Sequence, residues 1–192
     1  MKPFLIFISL AVLLISCADK TESINEPILI GSQDGVLASF GLSDIEDFIN
    51  GIDSASRLLR ISSEEINTEG ASYMWNYEFV STDTKNIYLI IYEIGGDCIA
   101  IGIDTTENDQ DGASIITKSW IDSDLALDIA ESNGGNNFRT ENSNYQISIL
   151  LSEAVVPNSF PIWSVRYYYL DKSLTFRINA SNGNIYQTIY GI

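Results

Sequence analysis

The sequence predicts an α+β fold made of two tandem copies of one unit, a helix followed by a meander of antiparallel strands. Three observations predict it. Two segments carry helical periodicity, and each precedes several short strand-like runs joined by turn residues. Residue types also recur at a fixed offset. Trp75 and Trp163 lie 88 positions apart, and at that spacing Asp83 meets Asp171, Ile90 meets Ile178 and Gly95 meets Gly183. Phe79/Tyr167 and Tyr88/Phe176 are aromatic in both places, and Ser43-Asp44-Ile45 resembles Ser123-Asp124-Leu125 upstream. Finally, the chain of 192 residues is long enough for two such units, assigned here to 33–116 and 117–192.

The elements follow in order. Ser43 and Asp44 suit a helix start, and Ile45, Phe48, Ile49 and Ile52 then share one helical face. Gly51 interrupts that pattern, so the helix either stops there or continues through Leu58 with a defect. Tyr73 to Val80 alternates Trp75, Tyr77 and Phe79 with Met74, Asn76 and Glu78, which predicts a strand. Ile87 to Ile94 and Cys98 to Ile103 predict two more, separated by turns at 81–86 and at Gly95-Gly96-Asp97. Ser123-Asp124 opens a second helix carrying Leu125, Ala126, Ile129 and Ala130, which Asn133-Gly134-Gly135-Asn136-Asn137 is expected to end. Strands are then predicted at 145–151, 162–170, 174–180 and 185–189, the last two joined by an Asn-Gly hairpin turn.

The first residues have a different character. Lys2 precedes the run Phe4–Ile15, twelve residues whose one polar member is Ser9. A bilayer-spanning helix needs about 20 apolar residues, so the run suits a secretory signal instead. It ends in Leu14-Ile15-Ser16-Cys17, which resembles the lipobox of bacterial lipoproteins. The resemblance implies cleavage after residue 16 and lipidation of Cys17, with acyl chains tethering the mature chain to a membrane of the cell envelope, the outer one more than the inner. Residues 17–32 form a polar tether in this reading, apart from a short apolar run at Ile28-Leu29-Ile30.

Charge and missing residue types exclude several functions. Ten Lys and Arg against 26 Asp and Glu give a net charge of −16, which repels phosphate backbones and argues against nucleic-acid binding. There is no histidine, so Ser-His and Cys-His catalysis, histidine metal sites and histidine pH switching are excluded. Cys98 sits in an apolar run and reads as a small core residue.

The second half also resembles PepSY-like domains of exported bacterial proteins. The matching features are the helix with Ala126, Ile129, Ala130 and Glu131, the strand opening at Trp163, and the run Phe176-Arg177-Ile178-Asn179-Ala180-Ser181-Asn182-Gly183-Asn184-Ile185. Asn179 stands where that family usually has Asp. The resemblance implies a helix lying on an antiparallel sheet, a binding or regulatory role such as restraint of an envelope peptidase, and no catalytic residue set.

Candidate sites follow from local chemistry. Glu107, Asp109 and Asp111, with Asp104 nearby, place carboxylates as the start of a calcium loop does, but Lys118 stands where a closing bidentate acid is needed. Trp163, Tyr167 and Tyr169 are candidates for an exposed aromatic stripe that binds peptide or glycan. The expectation is a lipid-anchored envelope protein that binds or regulates a protein or peptide partner without a cofactor. A surface lipoprotein taking up glycan or calcium is the alternative, and a carboxylate-dependent hydrolase the third. Oligomeric state is left open.

Overall fold

Trp75, Tyr77 and Phe79 alternate with polar residues, and in the computed structural model they lie on one strand with all three side chains buried. The structure describes residues 35–93, 98–104, 115–117, 119–153 and 159–191, with the backbone alone for 98–104. Helix α1 (Leu42–Ile52) leads into β1 (Ser56–Ser63), β2 (Met74–Ser81), β3 (Ile87–Glu93) and β4 (Cys98–Asp104). Then α2 (Ser123–Ala130) and α3 (Asn136–Glu141) lead into β5 (Gln146–Glu153), β6 (Pro161–Tyr169), β7 (Lys172–Asn179) and β8 (Ile185–Gly191). Cys17, Ile28–Ile30 and Gly95 lie outside the described residues.

All eight strands form one antiparallel sheet in the order β4-β3-β2-β1-β5-β6-β7-β8. The first strands of the two meanders, β1 and β5, pair at the centre. Read outward in either direction from the β1–β5 seam, the order is first, second, third, fourth strand of a meander. The fold is therefore α+β, with helices preceding each of two meanders that share one antiparallel sheet.

The helices cover one face. Ile45 and Ile49 of α1 and Ala126, Leu127 and Ala130 of α2 join a single core with Ile61, Tyr77, Ile90, Ile149, Val165 and Phe176. Contacts also cross the seam. The Ala38 amide donates to Ser123 Oγ at 3.1 Å, and the Ser39 amide and hydroxyl both donate to the Asp122 carboxylate. At Gly70 the backbone is left-handed (φ 78°), and a Cβ there would lie 2.4 Å from Asp124 Cα. Side-chain contacts and sheet pairing thus both cross the 116/117 division.

Of the two ends open to the first helix, the chain takes the earlier: it stops at Ile52, and Leu58 and Leu59 belong to β1. The Asp53 carboxylate accepts from the Ala55 amide at 2.9 Å and turns the chain, after which pairing with both β2 and β5 overrides helical preference. One expectation needs correction: Ser43 does not cap that helix, and Gly41, left-handed at φ 72°, precedes it. The Asn133–Asn137 run does end the second helix, where Gly134 at φ 125° kinks the chain before it resumes as the separate short helix α3.

The offset of 88 holds in part. Trp75 and Trp163 are equivalent, as are Phe79 and Tyr167. In the third strands the match slips: Trp75 pairs with Tyr92 and Trp163 with Ile178, so Ile90 corresponds to Phe176 rather than to Ile178. The turn between Ser81 and Ile87 is longer than the one between Tyr169 and Lys172, and the extra residues shift the register.

Candidate binding surface

Period-two alternation puts Trp163, Val165 and Tyr167 on the face that meets the helices, and all three are 0% exposed. The expected aromatic stripe is therefore not a surface. Trp163 and Tyr167 are core residues, and Tyr169, at the end of β6, is half-buried. Each buried tryptophan donates its indole N–H to a backbone carbonyl ahead of its own helix: Trp163 to Ile121 at 2.7 Å, Trp75 to Val36 at 2.8 Å. These bonds satisfy the indole that burial would otherwise leave unpaired.

Tyr167 belongs to a polar cluster against the core. Its hydroxyl donates to Glu131 Oε1 at 2.7 Å. Arg139 donates to the same carboxylate through Nε at 2.9 and 3.0 Å and through Nη2 at 2.6 Å, and its Nη1 reaches Tyr145 Oη at 3.2 Å. Burial, then the bond to Glu131, pushes the Tyr167 phenol far above its ordinary pKa. The bond to Glu131 likewise holds Arg139 firmly protonated. Both carboxylate oxygens are engaged by donors that do not release a proton near neutral pH. The cluster clamps the kink between α2 and α3 to β6 rather than offering a general base. Gly135 makes room for it, since a Cβ there would sit 2.4 Å from the Tyr167 oxygen.

The metal candidates do not come together in what is described. Glu107, Asp109 and Asp111 lie outside the described residues. Asp104 ends β4 opposite Ile87, and its side chain is not described. Among the described residues no group of three or more Asp, Glu, Cys or His side chains is placed to hold a metal ion.

The sheet face turned away from the helices is the remaining surface, and its two halves differ. Over β1–β3 it carries Met74, Asn76, Val80, Ile87, Leu89 and Ile91, with Arg57, Ser62 and an Arg60–Glu78 pair at 3.4 Å. Over β5–β8 it carries two arginines among serines, Thr175 and Gln187, with Leu150, Tyr168 and Ile189. One register row runs Leu150–Ser164–Arg177–Gln187 and the next Ser148–Arg166–Thr175–Ile189. Arg166 and Arg177 are diagonal neighbours on adjacent strands, and the Arg166 guanidinium lies 5.7 Å from the centre of the Tyr168 ring. No acidic side chain shares this face among the described residues of β5–β8. Between Gln146 and Gly191 two acids stand against three cations, a net +1 in a chain of −16. The clue was in the sequence: Ser164 and Arg166 mark the wet side of β6.

No family model matches the chain, and no curated protein matches it in sequence. The PepSY resemblance therefore has no support beyond the shared helix-on-sheet plan. The fold is similar to a crystal structure described as that of "a putative lipoprotein" from Clostridium difficile 630, with a TM-score of 0.59 and 12% identity, covering 86% of this chain and 99% of that one.

Proposed function

We propose that this chain is a lipid-anchored protein of a bacterial cell envelope that binds a macromolecule bearing carboxylate or phosphate groups, and that it catalyses no reaction. The observation that carries the binding role is the face of β5–β8 turned away from the helices, where Arg166 and Arg177 stand among serines, threonine and glutamine, with Leu150 and Ile189, and no acid lies beside them among the described residues. Guanidinium groups recognise such anions through paired N–H donors, and short hydroxyl and amide side chains suit the hydrogen-bonding edges of a polymer. The chain's acidity does not oppose this strongly, because charges more than about 8 Å away are screened at physiological salt. The anchor rests on Leu14–Cys17, and a similar fold in a protein described as a lipoprotein is in keeping with it. Restraint of an envelope peptidase would be one form of such binding.

Two measurements test this. Affinity electrophoresis of the chain from Ala18 onward, through gels carrying an acidic polysaccharide or a poly(glycerol phosphate), should show retardation that Arg166→Ser with Arg177→Ser removes. Equal mobility of both proteins in every gel rejects the surface. Mass spectrometry of the exported product should find an acylated Cys17 at its start, with release from membranes in Cys17→Ser; an unmodified sulfur there rejects the anchor.

A further inference from the structure

Every neighbouring pair of strands is antiparallel, so one end of the sheet gathers the ends of β1, β3, β6 and β8 with the starts of β2, β4, β5 and β7. Four large apolar side chains exposed among the described residues stand there: Tyr73 and Met74 where β2 begins, Leu170 in the β6–β7 turn and Tyr190 near the end of β8. Leu170 is the odd one. It is 85% exposed, and its φ of 52° is left-handed, in a two-residue hairpin turn that ordinarily takes glycine, asparagine or aspartate. A leucine there strains the backbone and buries little apolar surface in its own fold. The turn also projects. Along the register Asn76–Ser62–Leu150–Ser164, Met74 lies two residues beyond the row and Leu170 six.

The chain enters the fold at the same end. Val36 bridges to Ser72, next to Tyr73, through two backbone bonds of 2.9 Å. Gly35 lies 18 residues after Cys17, a span of at most about 65 Å when fully extended. We propose that this end of the sheet rests on the lipid surface that holds Cys17, with Leu170 at the acyl boundary and Tyr73, Met74 and Tyr190 at headgroup level. The contact deepens the anchoring read from Leu14–Cys17 and rests on it. Leucine suits the acyl boundary, and tyrosine suits an interface where one edge of the ring stays wet. The anchor keeps the surface within reach, so a contact too weak to hold a free body forms within one assembly. Charge decides the kind of lipid. Glu64, Glu65, Glu69, Glu93, Glu141 and Asp171 are exposed at or near this end against Lys172, and the helices add further acids. Anionic headgroups repel such a surface, so the contact is apolar and made with headgroups of no net charge.

The test uses the full chain, produced in a bacterium that processes lipoproteins and reconstituted in phosphatidylcholine vesicles with or without bromine on the acyl chains. Leu170→Trp and, separately, Tyr190→Trp should lose emission about twofold or more in the brominated vesicles, beyond any loss in the parent, since residues at the acyl boundary meet the bromines. Asp83→Trp, in the β2–β3 turn at the opposite end, should match the parent. All three positions are exposed, so thermal unfolding should match the parent too, and Tyr190→Trp replaces one ring by another without touching the turn. Mass spectrometry judges the anchor separately. An acylated, vesicle-bound chain whose added tryptophans at 170 and 190 both escape quenching overturns the contact and leaves the anchor standing. Equal quenching of the tryptophan at 83 overturns it as well, because the body then has no fixed side toward the lipid. An unmodified Cys17 rejects the anchor, and the contact with it.

Discussion

The two halves bury the same things and expose different ones. In each, a tryptophan at the start of the second strand donates to a carbonyl ahead of the helix, at 2.8 Å from Trp75 and 2.7 Å from Trp163. Beyond that bond they part. Tyr77 in the first half donates to the backbone oxygens of Ala38 and Phe40, whereas Tyr167 in the second donates to Glu131, itself held by Arg139. The outer faces differ in charge: over β1–β3 Arg60 is paired with Glu78, whereas over β5–β8 Arg166 and Arg177 have no acid on that face among the described residues. The inward pattern is held by packing in both halves, while the solvent side is free to differ.

The largest effect tests whether the tryptophans are equivalent. Trp75→Ala and Trp163→Ala should each cost about 3–5 kcal/mol in urea unfolding, from lost burial and the cavity left behind. Equivalent sites should agree within the spread of about 2 kcal/mol that such truncations show. One mild and one ruinous variant would break the symmetry.

The next effects belong to the second half alone. Glu131→Gln strips the charge partner from Arg139, whose side chain is 22% exposed beside a carboxylate at 16%. A cost of about 2–3 kcal/mol is expected, below that of a fully buried pair because both groups keep some solvent. Gly135→Ala drives a methyl against the Tyr167 ring and should cost about 1–3 kcal/mol. Neither change has a counterpart in the first half, where the equivalent aromatic is Phe79, so loss of either contrast by double-mutant analysis would show the clamp to be incidental.

The same cluster sets an alkaline limit. The folded pKa of Tyr167 is raised, by burial first and by Glu131 second. Its contribution is therefore complete below about pH 10, where an unfolded tyrosine titrates, and is lost as pH rises beyond it. Stability should fall there by about 1.4 kcal/mol per pH unit from this residue, and Tyr167→Phe should flatten that limb. Tyr88 in the first half is raised as well, by burial and then by its bond to Asp53, so Tyr88→Phe should flatten it less. Equal slopes for the two variants would remove the distinction between the Tyr167–Glu131–Arg139 clamp and the simpler Tyr88–Asp53 bond.

Much of this fold was legible because hairpins advertise themselves locally. β2, β3, β6, β7 and β8 follow from alternation and from turn residues such as Asn182-Gly183. β1 did not follow, for two physical reasons. A register shift between Leu58 and Arg60 breaks its alternation, and Ile45, Phe48, Ile49 and Ile52 extend at helical spacing toward Leu59. Only pairing on both sides makes that segment a strand. The candidate surface was half legible. Tyr167, Tyr168 and Tyr169 offered aromatics to both faces, so aromaticity could not tell inside from outside. The polar partners Ser164 and Arg166 could, since an arginine on the core side would have needed a buried anion.

The smallest effect sharpens the comparison by reversing its sign. Gly51 lies near the end of α1, and a Cβ there would meet nothing within 4 Å. Gly51→Ala removes backbone freedom from the unfolded chain without straining the folded one, and should stabilise by about 0.4–1 kcal/mol. Gly135, in the helical segment of the other half, should do the opposite under the same substitution. Two glycines that look alike in sequence would then be told apart by one tyrosine oxygen 2.4 Å from where a methyl would sit. A destabilising Gly51→Ala would mean that α1 packs more tightly at its end than its open surroundings imply.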